Sequence, residues 1–279
     1  MGGTRSAIGK EDQAPVLPLT AIILIVFVLA VVMIMSGRGG GNFYVITLVL
    51  AGVPMHAAAT TSQFILLASA LAGALIFGKA RTMSWRLVLL FGGLNAAMAF
   101  WGGSSAHQFS GAALKVALAV LLAAAGTVML LPEKEAAKAS KARRGYWRIA
   151  EGDDEYVVNM WVAVPMVLVT GFFSGMVGIS GGSFLVPLMV VGCGVPVRTA
   201  VGTATVMLAA TAFAGFAGHA LHGGFDPSLA VPCGAAAVAG GLIGGRLALK
   251  TKPKKLRRIS GALTIAAAAV MMVHALAGK

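Results

Sequence analysis

Ser36-Gly37-Arg38-Gly39-Gly40-Gly41-Asn42 and Gly178-Ile179-Ser180-Gly181-Gly182-Ser183 are two glycine-rich interruptions in an otherwise apolar chain. Each follows a long apolar run and precedes a short one, about 42–53 and 183–193. A spanning helix needs about 20 apolar residues, so neither short piece crosses a bilayer comfortably alone. Irregular backbone at membrane depth is tolerated only where protein or a polar cavity surrounds it. The two interruptions therefore read as broken or re-entrant helices with something polar inside the membrane.

Outward from them lie longer apolar runs, at roughly 16–36, 56–78, 87–103, 111–131, 157–178, 198–221, 228–248 and 256–277. The chain is 58% hydrophobic and only 11% charged, with a mean hydropathy of +0.88. A soluble domain carries about 25% charged residues, so a soluble enzyme and a disordered chain are both excluded. The runs are apolar on every side, unlike the alternating strands of a membrane barrel. The fold class expected is an all-α polytopic membrane protein. The first run is too long for a signal-peptide core and no A-x-A site follows it, so it is read as a retained helix.

The formal net charge is +13, from 22 Lys+Arg against 9 Asp+Glu. The basic residues sit mostly in short loops beside apolar runs, the topogenic bias of membrane proteins, and nucleic-acid binding is not expected. Cys193 and Cys233 are far apart in apolar sequence, which supports neither a disulfide framework nor a zinc site.

The two halves resemble each other. With the first shifted so that Val53-Pro54 meets Val195-Pro196, Thr61 meets Thr203 and Gly73 meets Gly215. Gly92 then meets Gly234, and Gly102-Gly103 meets Gly244-Gly245. Shifted by one position less, Gly40-Gly41-Asn42-Phe43 meets Gly181-Gly182-Ser183-Phe184. This is a two-fold internal repeat. The expected organisation is a polar tail at 1–15, a first repeat at 16–131, a polar linker at 132–156 and a second repeat at 157–279. The linker reads as a solvated connector whose first part forms a short amphipathic helix.

Loop charges give the relative orientation. Loop 79–86 carries Lys79, Arg81 and Arg86, whereas its counterpart 221–228 carries no Lys or Arg. Loop 104–115 has only Lys115, whereas its counterpart 246–258 has seven basic residues: Arg246, Lys250, Lys252, Lys254, Lys255, Arg257 and Arg258. Equivalent loops then lie on opposite sides, and the repeats are inverted, with about five segments each. Inversion requires an odd number of crossings, so the short pieces supply the fifth. The linker is expected in the cytoplasm and both termini outside.

None of the nine acidic residues lies in an apolar run. Cation and proton carriers usually place a carboxylate inside the membrane, so a metal or sodium carrier is disfavoured and an anion fits better. The two glycine clusters offer backbone N–H groups, and Asn42 and Ser183 read as N-caps that aim the next turn's free N–H groups at the break. The helix dipole adds partial positive charge there. The candidate substrate residues are Arg38, Gly40, Gly41, Asn42, Ser180, Gly181, Gly182 and Ser183. To these are added Thr60, Thr61, Ser62, Gln63, Thr203 and Thr205, which open the following apolar runs and either donate to an oxyanion or bond back to their own helix. Arg38 either pairs with substrate or anchors a helix end, and Arg198 reads as an anchor. Gly171 and Gly175 read as helix-packing glycines. His219 and His222 lack a third ligand, so no metal is expected. No Walker A sequence occurs, and no cofactor or catalytic residue is expected.

Gly171-x-x-x-Gly175-x-x-Gly178-x-x-Gly181-Gly182, then Pro187, Val195-Pro196 and Ala200-x-Gly202-Thr203, resembles the TauE/SafE family. The run from Gly240 to Gly245 fits as well. The resemblance covers about 37–131 and 165–277, although Ile46 stands in the first repeat where Pro187 stands in the second. It implies export of sulfite or a small sulfonate-type organic anion across the bacterial inner membrane, by alternating access. The partners implied are a small sulfur-containing oxyanion and the lipid bilayer, with a homodimer left open. A transporter of another small organic anion or metabolite, and a membrane-embedded enzyme, are the alternatives.

Overall fold

The computed structural model describes residues 17–130, 145–151, 154–193 and 195–251, with positions 269 and 273. The expected tail at 1–15, the first part of the linker and the expected last span at 256–277 lie outside these, save for those two positions. Nine helices are found among the described residues. They are α1 (Leu19–Met35), α2 (Gly41–Leu50), α3 (Met55–Lys79), α4 (Trp85–Gln108), α5 (Gly111–Leu130), α6 (Met160–Val177), α7 (Gly182–Pro187), α8 (Val197–Ala220) and α9 (Pro227–Ala248). α7 continues as a π turn, Leu188–Gly192, and α4 contains another, Val88–Gly92. Five of them, α3, α4, α6, α8 and α9, are long and apolar enough to cross a membrane. Leu75, Leu89 and Phe213 project from their outer faces, as lipid-facing side chains do.

Glycines set the packing, because helices in lipid associate through close van der Waals contact. A Cβ on Gly102 of α4 would lie 1.9 Å from the Phe172 carbonyl of α6, and one on Gly244 of α9 would lie 2.4 Å from the Val31 carbonyl of α1. Gly175 meets the Ala99 carbonyl at the same 1.9 Å, so the Gly171/Gly175 pair does pack α6 on α4. The partners reveal direction. Along α9, Gly234, Gly241 and Gly245 meet Phe64, Ser69 and Ile76 of α3, so these run parallel. Along α4, Gly92 and Gly103 meet Met207 and Gly215 of α8, again parallel. Between α3 and α8 the order reverses: Gly73 meets Thr205, and Gly215 meets Gln63. Those two contacts are repeat counterparts of each other.

The molecule is thus two parallel trios, α1/α3/α9 and α4/α6/α8, set antiparallel across α3 and α8. Each repeat places two helices in one trio and one in the other, with directions exchanged. That is the inverted arrangement. α2 is the return leg that lets α1 and α3 run the same way. The same register gathers Lys79, Arg81, Arg86, Arg198, Arg246 and Lys250 at one end, while His56, His107, His219 and His222 gather at the other.

The end of the linker is ordered as a hairpin that leads into α6. Tyr146–Glu151 (β1) and Asp154–Asn159 (β2) pair antiparallel, with Tyr146 opposite Asn159. Asn159 then caps α6, its Oδ1 accepting the Trp161 N–H at 3.2 Å. Val158 is buried in the apolar cluster that also holds Val167 and Ala163. The hairpin was hidden by charge: its strands carry Glu151, Asp154 and Glu155, and a solvated loop has the same composition.

Candidate functional site

The two glycine interruptions meet and cross. Gly40 turns the chain into α2 with φ +95°, and Gly178 ends α6 with φ +78°, a left-handed region that side chains rarely enter. At the crossing, the Ser180 N–H donates to Asn42 Oδ1 at 2.9 Å. The Ser180 hydroxyl lies within reach of that same oxygen, at 3.2 Å, and of the Arg38 carbonyl. The first residue of each short helix presses on the opposite interruption. A Cβ on Gly41 would lie 2.8 Å from the Ser180 nitrogen, and one on Gly182 would lie 2.8 Å from the Arg38 Cα.

Asn42 and Ser183 are not N-caps, contrary to expectation. Gly40 and Gly181 occupy the cap positions, without side-chain bonds to the helix. Asn42 stands one residue further in, where its amide is spent on the other interruption. The close approach of the two backbones, which glycine alone permits, shifts each helix start back to the glycine. The first-turn N–H groups of Gly41 and Asn42, and of Gly182 and Ser183, have no acceptor within their own helices. Both helix starts, each with its partial positive charge, therefore converge on one place. Arg38 is buried there, at 5% exposure.

The polar opening of α3 braces the second interruption. Ser62 Oγ donates to the Gly178 carbonyl at 2.8 Å, and Gln63 Nε2 donates to the Ser174 carbonyl at 2.7 Å. That bond fixes the Gln63 amide so that Oε1 is an acceptor with no partner. Thr60 bonds back to His56 at 3.0 Å and Thr205 to Val201 at 2.8 Å, so these two hydroxyls serve their own helices. Thr203 Oγ1 accepts the Ser84 N–H at 2.9 Å, while Thr61 Oγ1, its repeat counterpart, is buried without a partner. The structure thus brings Arg38, Gly40, Gly41, Asn42, Ser180, Gly181, Gly182 and Ser183 together and places Ser62 and Gln63 against them as braces, while the hydroxyls of Thr60 and Thr205 bond to their own helices, that of Thr203 holds the Ser84 N–H and that of Thr61 has no partner.

Asn95 was missed. Its Nδ2 donates to the Val167 carbonyl at 3.1 Å, and its Oδ1 accepts from Thr211 at 2.7 Å, tying α4, α6 and α8 together. A Cβ on Gly181 would lie 4.0 Å from that Nδ2, so Asn95 borders the second interruption. The signal was available: it is a lone amide inside the apolar run 87–103. Arg198 behaves as an anchor, donating to the Leu249 carbonyl at 2.8 Å near the basic end. His219 is bonded to the Gly175 carbonyl, and no group of His, Cys, Asp or Glu able to hold a metal occurs among the described residues.

The chain is similar to known proteins over most of its length. The family model described as sulfite exporter TauE/SafE matches residues 22–271. A "Probable membrane transporter protein" of Xylella fastidiosa (strain 9a5c) is 26% identical over 236 residues, covering 82% of this chain and 86% of that protein. The "Probable membrane transporter protein YunE" of Bacillus subtilis (strain 168) is 24% identical over 232 residues, covering 79% and 85%. No solved structure matches the chain. Inverted helical repeats joined at a polar crossing and a family match over nearly the whole sequence agree: this chain is a multi-pass membrane protein that belongs to the TauE/SafE family.

Proposed function

We propose that the chain exports sulfite, or a small sulfonate-type organic anion, across the bacterial inner membrane by alternating access. The observation that carries this reading is the convergence of two helix starts at one crossing, where the backbone of the buried Arg38 also lies, in a chain whose spans hold no carboxylate. Positive potential without a buried negative group suits a small oxyanion. Substrate contact is assigned to the crossing: the N–H groups around Gly40, Gly41, Gly181 and Gly182, with Arg38, Asn42, Ser180 and Ser183. The basic end is cytoplasmic in this reading.

Outward movement of an anion needs no coupling ion. Each negative charge leaving against an inside-negative potential gains about 2.3 kcal/mol per 100 mV, enough for a gradient of about fifty-fold. The test is sulfite efflux from proteoliposomes under an imposed potential. Voltage-driven efflux that weakens in Arg38→Met supports the reading. Absence of voltage-driven flux, with or without a pH gradient, overturns it. Flux of carboxylates in preference to sulfite and sulfonates would keep the transporter and replace the substrate class.

A further inference from the structure

The loops that join α3 to α4 and α8 to α9 are repeat counterparts, but they sit differently. Ser84 and Asp226 correspond, and each caps the helix that follows: Ser84 Oγ accepts the Leu87 N–H, and Asp226 Oδ1 accepts the Ser228 N–H at 2.9 Å. Ser84 is buried at 1% exposure, and its own N–H is held by the Thr203 hydroxyl at 2.9 Å. Its loop lies directly on α8, where a Cβ on Gly202 would meet the Thr82 carbonyl at 2.0 Å. At the other end of the membrane, Asp226 is exposed, and a Cβ on Gly224, the counterpart of Thr82, would lie 3.9 Å from the Ala57 Cα, an ordinary contact rather than the 2.0 Å approach of the other loop. Ala57 lies nearer the end of α3 than Thr60, the counterpart of Gly202, so this loop sits outward of the docked position. The Thr61 hydroxyl, which corresponds to Thr203, is buried and has no partner.

We propose that these are two alternating latches: Thr203 with the Ser84 N–H at the basic end, closed in this structure, and Thr61 with the Asp226 N–H at the histidine end, open in it. The inference rests on the transport reading above and deepens it. In a protein of inverted repeats, the opposite-facing state is the one in which the repeats exchange conformations. Exchange here means that the α8–α9 loop docks on α3 and satisfies the Thr61 hydroxyl, while the α3–α4 loop leaves α8. The unpartnered hydroxyl is then the half of a hydrogen bond that only the second state completes. Thr61 and Thr203 act on loop position rather than on the anion.

The latches are tested in full-length protein with Cys193 and Cys233 replaced by Ala. Ser84→Cys with Thr203→Cys, and Thr61→Cys with Asp226→Cys, are made separately and together, and oxidised in liposomes. Each pair is expected to form a disulfide that stops sulfite flux until reductant is added, and in the combined variant one disulfide excludes the other. Both disulfides in one molecule, or failure of the Thr61/Asp226 pair in a variant that transports while reduced, overturns the proposal. The exclusion is read without substrate, so it separates from failure of the sulfite assignment. Thr61→Val provides the second measurement. Loss of one hydrogen bond from the second state is a factor of about ten in its population. Flux should fall by that factor, with sulfite binding and thermal stability retained. Unchanged flux overturns the latch, and so does lost sulfite binding, which would make Thr61 a ligand instead.

Discussion

Asn42 Oδ1 accepts the backbone N–H of Ser180 at 2.9 Å, joining two interruptions that stand 138 residues apart in the sequence. Together with the Ser180 hydroxyl on the Arg38 carbonyl, this bond ties one half of the molecule to the other at its polar centre. Asn42→Ala leaves the Ser180 N–H buried without an acceptor, and an orphaned buried donor costs about 1–3 kcal/mol. Thermal unfolding in detergent should show a loss of that size. Asn42→Asp keeps an acceptor but adds negative charge beside the anion, so it should lose sulfite flux more completely than its stability loss explains.

The helix-start glycines separate by position. Gly41→Ala and Gly182→Ala each drive a Cβ to 2.8 Å from the opposing backbone, which cannot yield as a side chain would. Overpacking of this kind costs about 1–3 kcal/mol. Gly181→Ala meets nothing nearer than 3.6 Å and has an ordinary helical φ of −68°, so it should unfold within about 1 kcal/mol of the parent. Equal stability for all three would mean that the interruptions do not touch.

Arg38→Met keeps much of the side chain's length and removes its charge, and should weaken sulfite binding. A charge-assisted hydrogen bond contributes about 1.5–3 kcal/mol, so roughly ten-fold or more is expected, read by titration of the purified protein. Arg38→Lys, which keeps the charge but not the planar fork, should fall between.

Asn95→Leu breaks the bonds to Val167 and Thr211 that tie α4, α6 and α8. Thr211 still donates to the Met207 carbonyl and the Val167 carbonyl still accepts from Thr170, so the expected loss is about 0.5–1.5 kcal/mol for each bond removed, from the lost links between helices rather than from orphaned groups. Adding Thr211→Val to Asn95→Leu should cost less than Thr211→Val alone, since the bond between the two residues is already gone. Unfolding curves for the three proteins check this.

Several parts of this architecture were legible residue by residue. Val53-Pro54 and Val195-Pro196 marked equivalent turns, and the structure begins α3 and α8 directly after them. Lys79, Arg81 and Arg86 against a 221–228 loop without Lys or Arg implied opposed repeats, and the helix register bears that out. Asn42 was picked out, but for a capping role it does not have. Its side chain answers to Ser180, and no local rule connects residues so distant in sequence.

Sequence by itself determined the solvent of this protein, its repeat and the relative direction of the two halves. Those follow from composition, periodicity and loop charge, which act locally or sum over the chain. Tertiary structure alone decided that the interruptions cross, that Asn42 and Gln63 spend their amides on α6 and the turn after it, and that Thr203 is engaged while Thr61 is not. Each of these depends on which backbone comes within about 3 Å of which side chain. That distance is set by the glycine contacts between α3, α4, α6 and α8, and exists only once the helices are packed.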